Sequence, residues 1–292
     1  MREILRQVKR ILYRIFTKYY KKIRKSGDIP LFDEKGFLQY VAKKKKGLEV
    51  NKAKISAIAL RGSVADYGFY ANCKDGLYNL GLTSSDLYTS YQLYKKLSPD
   101  LTDLEYVYLF LGAMSPGFSL IKTKEKYRAV AYKYFFDVDY QENEEIDPKL
   151  ENKILKKCNK IKVKNTDADY RGYEKKKYYG AHLKAEERVA THIRENQREP
   201  DQMEWIERLA ELAKDNGHRL VLVLAPFRSD YRALLPETEE LFEKFYALEA
   251  DVWKIINFYD SPLFDDSDLG DTDHLNEKGA IKMTNELLRL SV

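Results

Sequence analysis

The apolar positions of this chain change their period along its length, and the changes divide it into parts. Over residues 2–25, Ile4, Leu5, Val8, Ile11, Leu12, Ile15, Phe16 and Tyr19 recur at helical spacing, and Arg and Lys fill much of the remainder. That pattern predicts one amphipathic helix with a basic face. Residues 26–52 read as a connector, marked by Gly27, Pro30 and the run Lys43 to Lys46. From residue 53 onward, short continuous apolar runs alternate with helical stretches. Lys54 to Leu60, Leu77 to Leu80, Tyr106 to Leu111, Arg219 to Ala225 and Trp253 to Tyr259 are predicted strands. Ser84 to Leu97, Met203 to Asn216, Glu237 to Ala250 and Asn276 to Leu290 are predicted helices, and Gly217 is placed as a C-terminal stop.

Strands that are apolar throughout, rather than on alternate positions, belong to a mostly parallel sheet covered on both faces. Right-handed crossovers then give a three-layer α/β/α sandwich with a flavodoxin-like sheet. Residues 120–200 interrupt the order. They are rich in Lys, Tyr and Glu, and read as an insertion beside the active-site end, helical around Ala185 to Glu195. The chain therefore divides into a basic helix (1–25), a connector (26–52) and an α/β domain (53–292).

Charge sharpens this picture. Residues 1–25 carry ten Lys/Arg against one Glu, a net +9, so the whole-chain charge of +5 leaves −4 for the other 267 residues. A slightly acidic body argues against an extended nucleic-acid footprint. The basic helix suits an anionic membrane surface, or packing against its own domain or a partner. No run of 18 apolar residues is present to span a bilayer, and the N-terminus lacks the uninterrupted apolar core of a signal peptide. Two cysteines, Cys73 and Cys158, fit a reducing compartment. The expectation is a cytoplasmic protein with peripheral contact at the inner membrane face through residues 1–25. The 23 tyrosines suit polar, ring-shaped ligands, or reflect a compositional bias.

Candidate chemistry lies at two distant places. In an open α/β sheet, ligands bind beyond the carboxyl ends of the strands. The first strand ends at Leu60, and Gly62-Ser63 follows in ALRGSVADYGF. Gly62 lets the backbone turn, Ser63 can present its hydroxyl, and small flanking residues leave N–H groups for an oxyanion. By itself a Gly-Ser after a strand is an ordinary turn. A serine nucleophile needs a base, and only four histidines exist: His182, His192, His218 and His274. His274, in GDTDHLNEKG, lies between the last predicted strand and the last helix, again at the carboxyl edge. Asp271, three residues earlier, can reach the other imidazole nitrogen and fix its tautomer. Asp273 competes for that role less well, because adjacent side chains point apart. The segment is also a helix start, with Asn276 as N-cap, and both readings hold together. His218 reads as structural, at a strand entrance; His192 and His182 are weaker candidates for substrate contact. Arg61 beside the nucleophile can bind an anionic substrate or form a structural ion pair. No spacing points to a metal site, and no dinucleotide fingerprint or Walker A loop is present.

Taken together, Gly62-Ser63 and Asp271-x-x-His274 resemble the first and last blocks of the SGNH/GDSL hydrolase superfamily. Tyr78-Asn79-Leu80-Gly81-Leu82-Thr83-Ser84 is similar to its second block, and the match covers roughly residues 54–120 and 200–290. The sequence also resembles SGNH-like proteins of bacterial surface-polysaccharide clusters, many of which move or remove acyl groups on sugars. The resemblance implies Ser63, His274 and Asp271 as a triad, Gly81 as an oxyanion donor and Asn79 shaping its loop. It implies Tyr231, after Pro226, as a substrate-facing residue. It also implies a carbohydrate or acylated-sugar substrate, no bound cofactor, and an acyl donor such as acetyl-CoA where transfer replaces hydrolysis. One departure stands out. The third block's asparagine is missing, since Tyr106 to Leu111 runs into Gly112-Ala113-Met114-Ser115-Pro116-Gly117. Ser115 or a backbone N–H is the candidate substitute; losing one oxyanion donor costs about 3 kcal/mol in the transition state. The alternative is a catalytically inactive protein that binds a glycan or a partner.

Overall fold

The computed structural model describes residues 34–112, 115–140, 146–163, 170–175, 184–196, 202–235 and 238–292. The expected basic helix over 1–25 lies outside these residues. Five strands form one wholly parallel sheet in the order β2-β1-β3-β4-β5. They are β1 (Ala57–Leu60), β2 (Leu77–Asn79), β3 (Tyr106–Leu111), β4 (Arg219–Leu224) and β5 (Lys254–Asn257). This is the flavodoxin-like order, and it reverses direction between β1 and β3, the switch point at which open α/β sheets generally bind ligands. The three-layer α/β/α expectation holds.

The strands read as continuous apolar runs because each face of the sheet has its own core. Ile58, Leu60, Val107, Leu109, Leu111, Leu220, Leu222 and Leu224 point into the larger core. Their neighbours Ala57, Ala59, Tyr108, Phe110, Val221 and Val223 point into the smaller one. The larger core is closed by helices α1 (Glu34–Asn51), α3 (Leu87–Leu97), α4 (Tyr127–Phe136) and α7 (Met203–Asp215). The smaller is closed by α2 (Gly62–Gly68) and α10 (Glu277–Leu290), with Ala65, Met283 and Leu287 at the contact. α5 (Pro148–Cys158) and α9 (Thr238–Tyr246) add Ile154, Cys158 and Phe245 to the larger core, while α6 (Ala185–Asn196) and α8 (Ser229–Arg232) meet in a third cluster through Ala185, Val189 and Tyr231.

Two expectations need correction. Residues 34–51, read as connector, form α1, and its Phe37, Leu38, Tyr40, Val41 and Leu48 are buried in the larger core. The lysine run hid this face, because Lys44 is itself fully buried. The insertion is also more regular than its weak periodicity implied. It contains α4, buried on most sides through Ala129, Val130, Ala131 and Tyr132, so no polar face marks it in sequence. Among the described residues no helix is long and apolar enough to cross a membrane.

Candidate active site

β1 ends at Leu60, and the chain turns at once. Arg61 holds φ +82° and Gly62 φ +56°, both in the left-handed region. Ser63 then sits in the first turn of α2, at the carboxyl edge of the sheet and at the point where strand order reverses. The first N–H groups of a helix have no intrahelical acceptor, so the Ser63 N–H is a candidate donor.

The other half of the site comes from the loop before α10. Asn276 caps that helix by accepting from Gly279 N (3.0 Å), and its amide donates to Ser267 O and Leu269 O. A Cβ on Gly279 would lie 2.3 Å from Asp268 O, so the helix start and this loop pack at backbone contact. Within the loop, Asp271 Oδ1 accepts from the N–H groups of Asp273 (3.0 Å) and His274 (2.9 Å). These bonds orient the Asp271 carboxylate on the imidazole: His274 Nδ1 is 2.9 Å from both of its oxygens. A carboxylate only accepts, so the Nδ1 proton belongs on that side and Nε2 is left to accept. His274 Nε2 is 2.7 Å from Ser63 Oγ. Residues 211 positions apart thus make a continuous Ser63–His274–Asp271 relay.

The imidazole is nearly enclosed, with 4% of its surface exposed. Tyr67, one turn after Ser63 on α2, stacks on it with ring centroids 4.6 Å apart. Burial works to lower the His274 pKa, but Asp271 and Asp273 together overcome it and the net shift is upward. Asp273 lies closer than sequence reasoning allowed. Its Oδ2 is 3.6 Å from His274 Nε2, while Asp271 takes Nδ1. Asp273 is gripped by Arg188 of α6 through two parallel bonds, Nε to Oδ1 and Nη2 to Oδ2, both 2.8 Å. His192, one turn further along α6, has Nδ1 2.5 Å from Tyr231 Oη and Nε2 3.8 Å from Asp273 Oδ2. Arg188 was missed in sequence because it lies in the insertion, 85 positions from its partner.

Several expected roles change. Gly81 does not offer its N–H to an oxyanion: it donates to Asn79 Oδ1 at 2.9 Å. Glycine is required there for space, since a Cβ would lie 2.3 Å from Asp66 N. Asn79 does shape its loop, with its amide donating to the carbonyls of Ala65, Asp66 and Phe69. Beneath this loop is a buried cluster. Lys44 Nζ meets Asp66 Oδ1 at 2.6 Å and Gly81 O at 2.5 Å, and Tyr40 and Thr83 hydroxyls donate to Asp66 Oδ2. The same turn carries Ser84 at φ +66°, and its Ser85 Oγ accepts from Gly62 N at 2.7 Å. Ser84 Oγ is fixed by Glu125 and Arg128.

Ser115 is closed on itself, its hydroxyl donating to Gly112 O (2.5 Å) and accepting from Gly112 N (2.6 Å). It has no proton left for an oxyanion. Arg61 turns inward, reaching Phe110 O and Ser115 O at 3.4 Å; burial pushes its pKa down to about 10, with Asp86 opposing. It braces the end of β3 rather than facing a substrate. Tyr231 is buried and its hydroxyl is engaged with His192, so it supports the site from behind. His218 is structural, its Nδ1 2.7 Å from Tyr94 Oη. His182 lies outside the described residues. Asp271, Asp273 and His274 could together reach a metal ion, yet their atoms are already engaged by Ser63, Arg188 and one another.

No family model and no curated protein matches this chain. Among solved structures it is similar to a crystal structure described as a "putative acylhydrolase" from Bacteroides fragilis NCTC 9343. The likeness has a TM-score of 0.40 at 12% identity, covering 81% of this chain and 86% of that one. At that level it adds no argument to the geometry of the site.

Proposed function

We propose that this protein is a serine-dependent ester hydrolase or acyl transferase, with Ser63 as nucleophile, His274 as base and Asp271 as its orienting carboxylate. The reading rests on one observation, the 2.7 Å approach of His274 Nε2 to Ser63 Oγ with Asp271 on the opposite nitrogen. Ser63 Oγ forms a bond to the ester carbonyl carbon while its proton passes to His274 Nε2. The carbonyl π pair moves onto oxygen, giving a tetrahedral oxyanion. For that charge the candidate donor is the N–H of Ser63 in the first turn of α2, since the Gly81 N–H and the Ser115 hydroxyl are already engaged. Collapse expels the alcohol, which takes the proton from His274 and leaves an acyl-serine. A water or sugar hydroxyl then attacks the acyl carbon, giving its proton to His274, and collapse breaks the bond to Ser63 Oγ, which takes that proton back and leaves His274 neutral.

Water as acceptor makes the protein an esterase. A sugar hydroxyl makes it an O-acyltransferase, with a thioester such as acetyl-CoA as the acyl donor. A carbohydrate acceptor is favoured by the tyrosines around α2: Tyr67 over His274, and Tyr70 edge-on to Tyr173 at 4.8 Å. The rival reading, a non-catalytic glycan-binding protein, is favoured by the self-closed Ser115 where a donor is missing.

A fluorophosphonate probe at pH 8 separates them. Labelling mapped to Ser63, and lost in Ser63→Ala, is the expected result. An unlabelled native protein, or labelling that survives Ser63→Ala, overturns the enzymatic reading. Incubation with acetyl-CoA or an aryl acetate, with and without sugar acceptors, then distinguishes transfer from hydrolysis.

A further inference from the structure

Oxygens of both Ser63 and Asp273 lie near His274 Nε2. Ser63 Oγ is at 2.7 Å and Asp273 Oδ2 at 3.6 Å. For a base that must collect a serine proton, the second neighbour is a hazard. A buried carboxylate free to turn toward Nε2 is a stronger hydrogen-bond acceptor than a hydroxyl, and it favours the imidazolium. That form cannot act as a base. Yet Asp273, only 4% exposed, is not free to turn. Both of its oxygens are taken by the Arg188 guanidinium in a planar two-pronged pair, and Thr272 Oγ1 also donates to Oδ1 at 2.9 Å. The Arg188 side chain is itself largely buried, so the pair is little screened by water.

We propose that Arg188 is a positioning residue: by holding both oxygens of Asp273 it keeps that carboxylate off His274 Nε2, so that the nitrogen retains Ser63 as its partner. The proposal rests on the triad reading above. It also gives the insertion a function, because α6 delivers Arg188 to a loop that the α/β core alone would leave with a loose acid beside its base.

Among the described residues, charged and titratable groups face His274 from several elements. Its own loop supplies Asp271 and Asp273, α2 supplies Tyr67, and α6 supplies Arg188 and His192. Tyr231 of α8 meets His192, and Arg228 interacts with Asp271 from the start of α8. Of these, Arg188 opposes the two aspartates in their upward pull on His274. Asp273 is held well below the usual carboxylate range: burial works to raise it, and Arg188, His274 and His192 overcome that.

The direct test is a histidine titration by nitrogen-15 NMR on the full chain, with the His274 resonance assigned through His274→Gln. In Arg188→Gln the His274 pKa is expected to rise by about one unit, as for a neighbouring carboxylate released from its counter-charge. In the double variant Arg188→Gln/Asp273→Asn it should return to the native value or below. The acidic limb of Ser63 labelling by the fluorophosphonate should move with it. An unchanged or lowered His274 pKa in a natively folded Arg188→Gln overturns the proposal. Should Arg188→Gln fail to fold, Arg188→Lys takes its place, since a lysine keeps the charge but cannot hold both carboxylate oxygens in the two-pronged pair. There the His274 pKa is expected to rise, and a value equal to native overturns the proposal. If native Ser63 resists labelling at every pH, the triad reading fails. The titration still reports separately whether Arg188 governs the Asp273–His274 pair.

Discussion

At the residue scale the site is a problem in proton placement. As the base proposed above, His274 must be neutral to act, and its raised pKa moves the expected working range upward. Burial alone would lower it, and the two aspartates reverse the sign. Turnover should therefore rise with pH through a midpoint above the ordinary histidine value of about 6.5. A rate–pH profile with a midpoint below that value would contradict this assignment of charges. Stability follows the opposite sense. Because the folded pKa is raised, the contribution of His274 is complete below its unfolded pKa and is lost as pH rises through the folded one. Replacing Ser63 by Ala should cut ester hydrolysis by about 10⁴-fold or more, and Asp271→Asn by about 10⁴-fold, since the latter leaves the wrong imidazole nitrogen protonated. Steady-state kinetics on an aryl acetate would show whether kcat carries the loss.

At the element scale, the turn after β2 is held from below by a charge pair without solvent access. Lys44 and Asp66 are both fully buried, and Lys44 also grips Gly81 O. Removing one partner strands the other, which costs about 3–5 kcal/mol. Lys44→Met is therefore expected to lower the urea midpoint sharply, and Lys44→Met with Asp66→Leu to recover part of the loss. Urea unfolding of both variants measures it; equal destabilisation in single and double variants would argue against the stranded-charge account. Gly81→Ala should also destabilise, because its Cβ has no room against the α2 backbone. The two ends of the proposed site were legible in sequence for a common reason. Ser63 and the Asp271–His274 loop both follow apolar strands or precede a capped helix, features written in local pattern. The oxyanion side was not. Gly81 was expected as a donor through the resemblance of its segment to a family block, whereas the structure turns its N–H onto Asn79 and uses it for close packing. Nor could Arg188 be placed. A long-range ion pair leaves no periodic trace, and it joins two segments whose sequences say nothing of one another.

For the whole molecule, the sheet and its strand order were readable because both faces are covered, which forces continuous apolar strands. α1 was not readable. Its apolar face is interrupted by Lys44, a charged residue that belongs to the interior. One large core is shared by α1, α3, α4, α7 and the sheet. Shortening the chain to begin at residue 53 would therefore expose the inner side of that core, and it should abolish folding rather than trim a tail. Circular dichroism of such a fragment is the check. In the full chain with Trp253→Phe, Trp205 fluorescence and far-ultraviolet circular dichroism should report the same thermal midpoint, since Trp205 packs edge-on to Tyr88 inside the shared core. Separate midpoints would mean that α7 and the sheet melt independently.

The long separation between hydroxyl and imidazole has a consequence during biosynthesis. Ribosomes add about 5–20 residues each second, so roughly 10–40 s pass between the appearance of Ser63 and that of His274. Throughout that interval the nascent polypeptide carries an unactivated alcohol and no partner to deprotonate it. Under the mechanism proposed above, the base reaches Ser63 only once α10 docks, so a product terminated before His274 is expected to be silent toward esters.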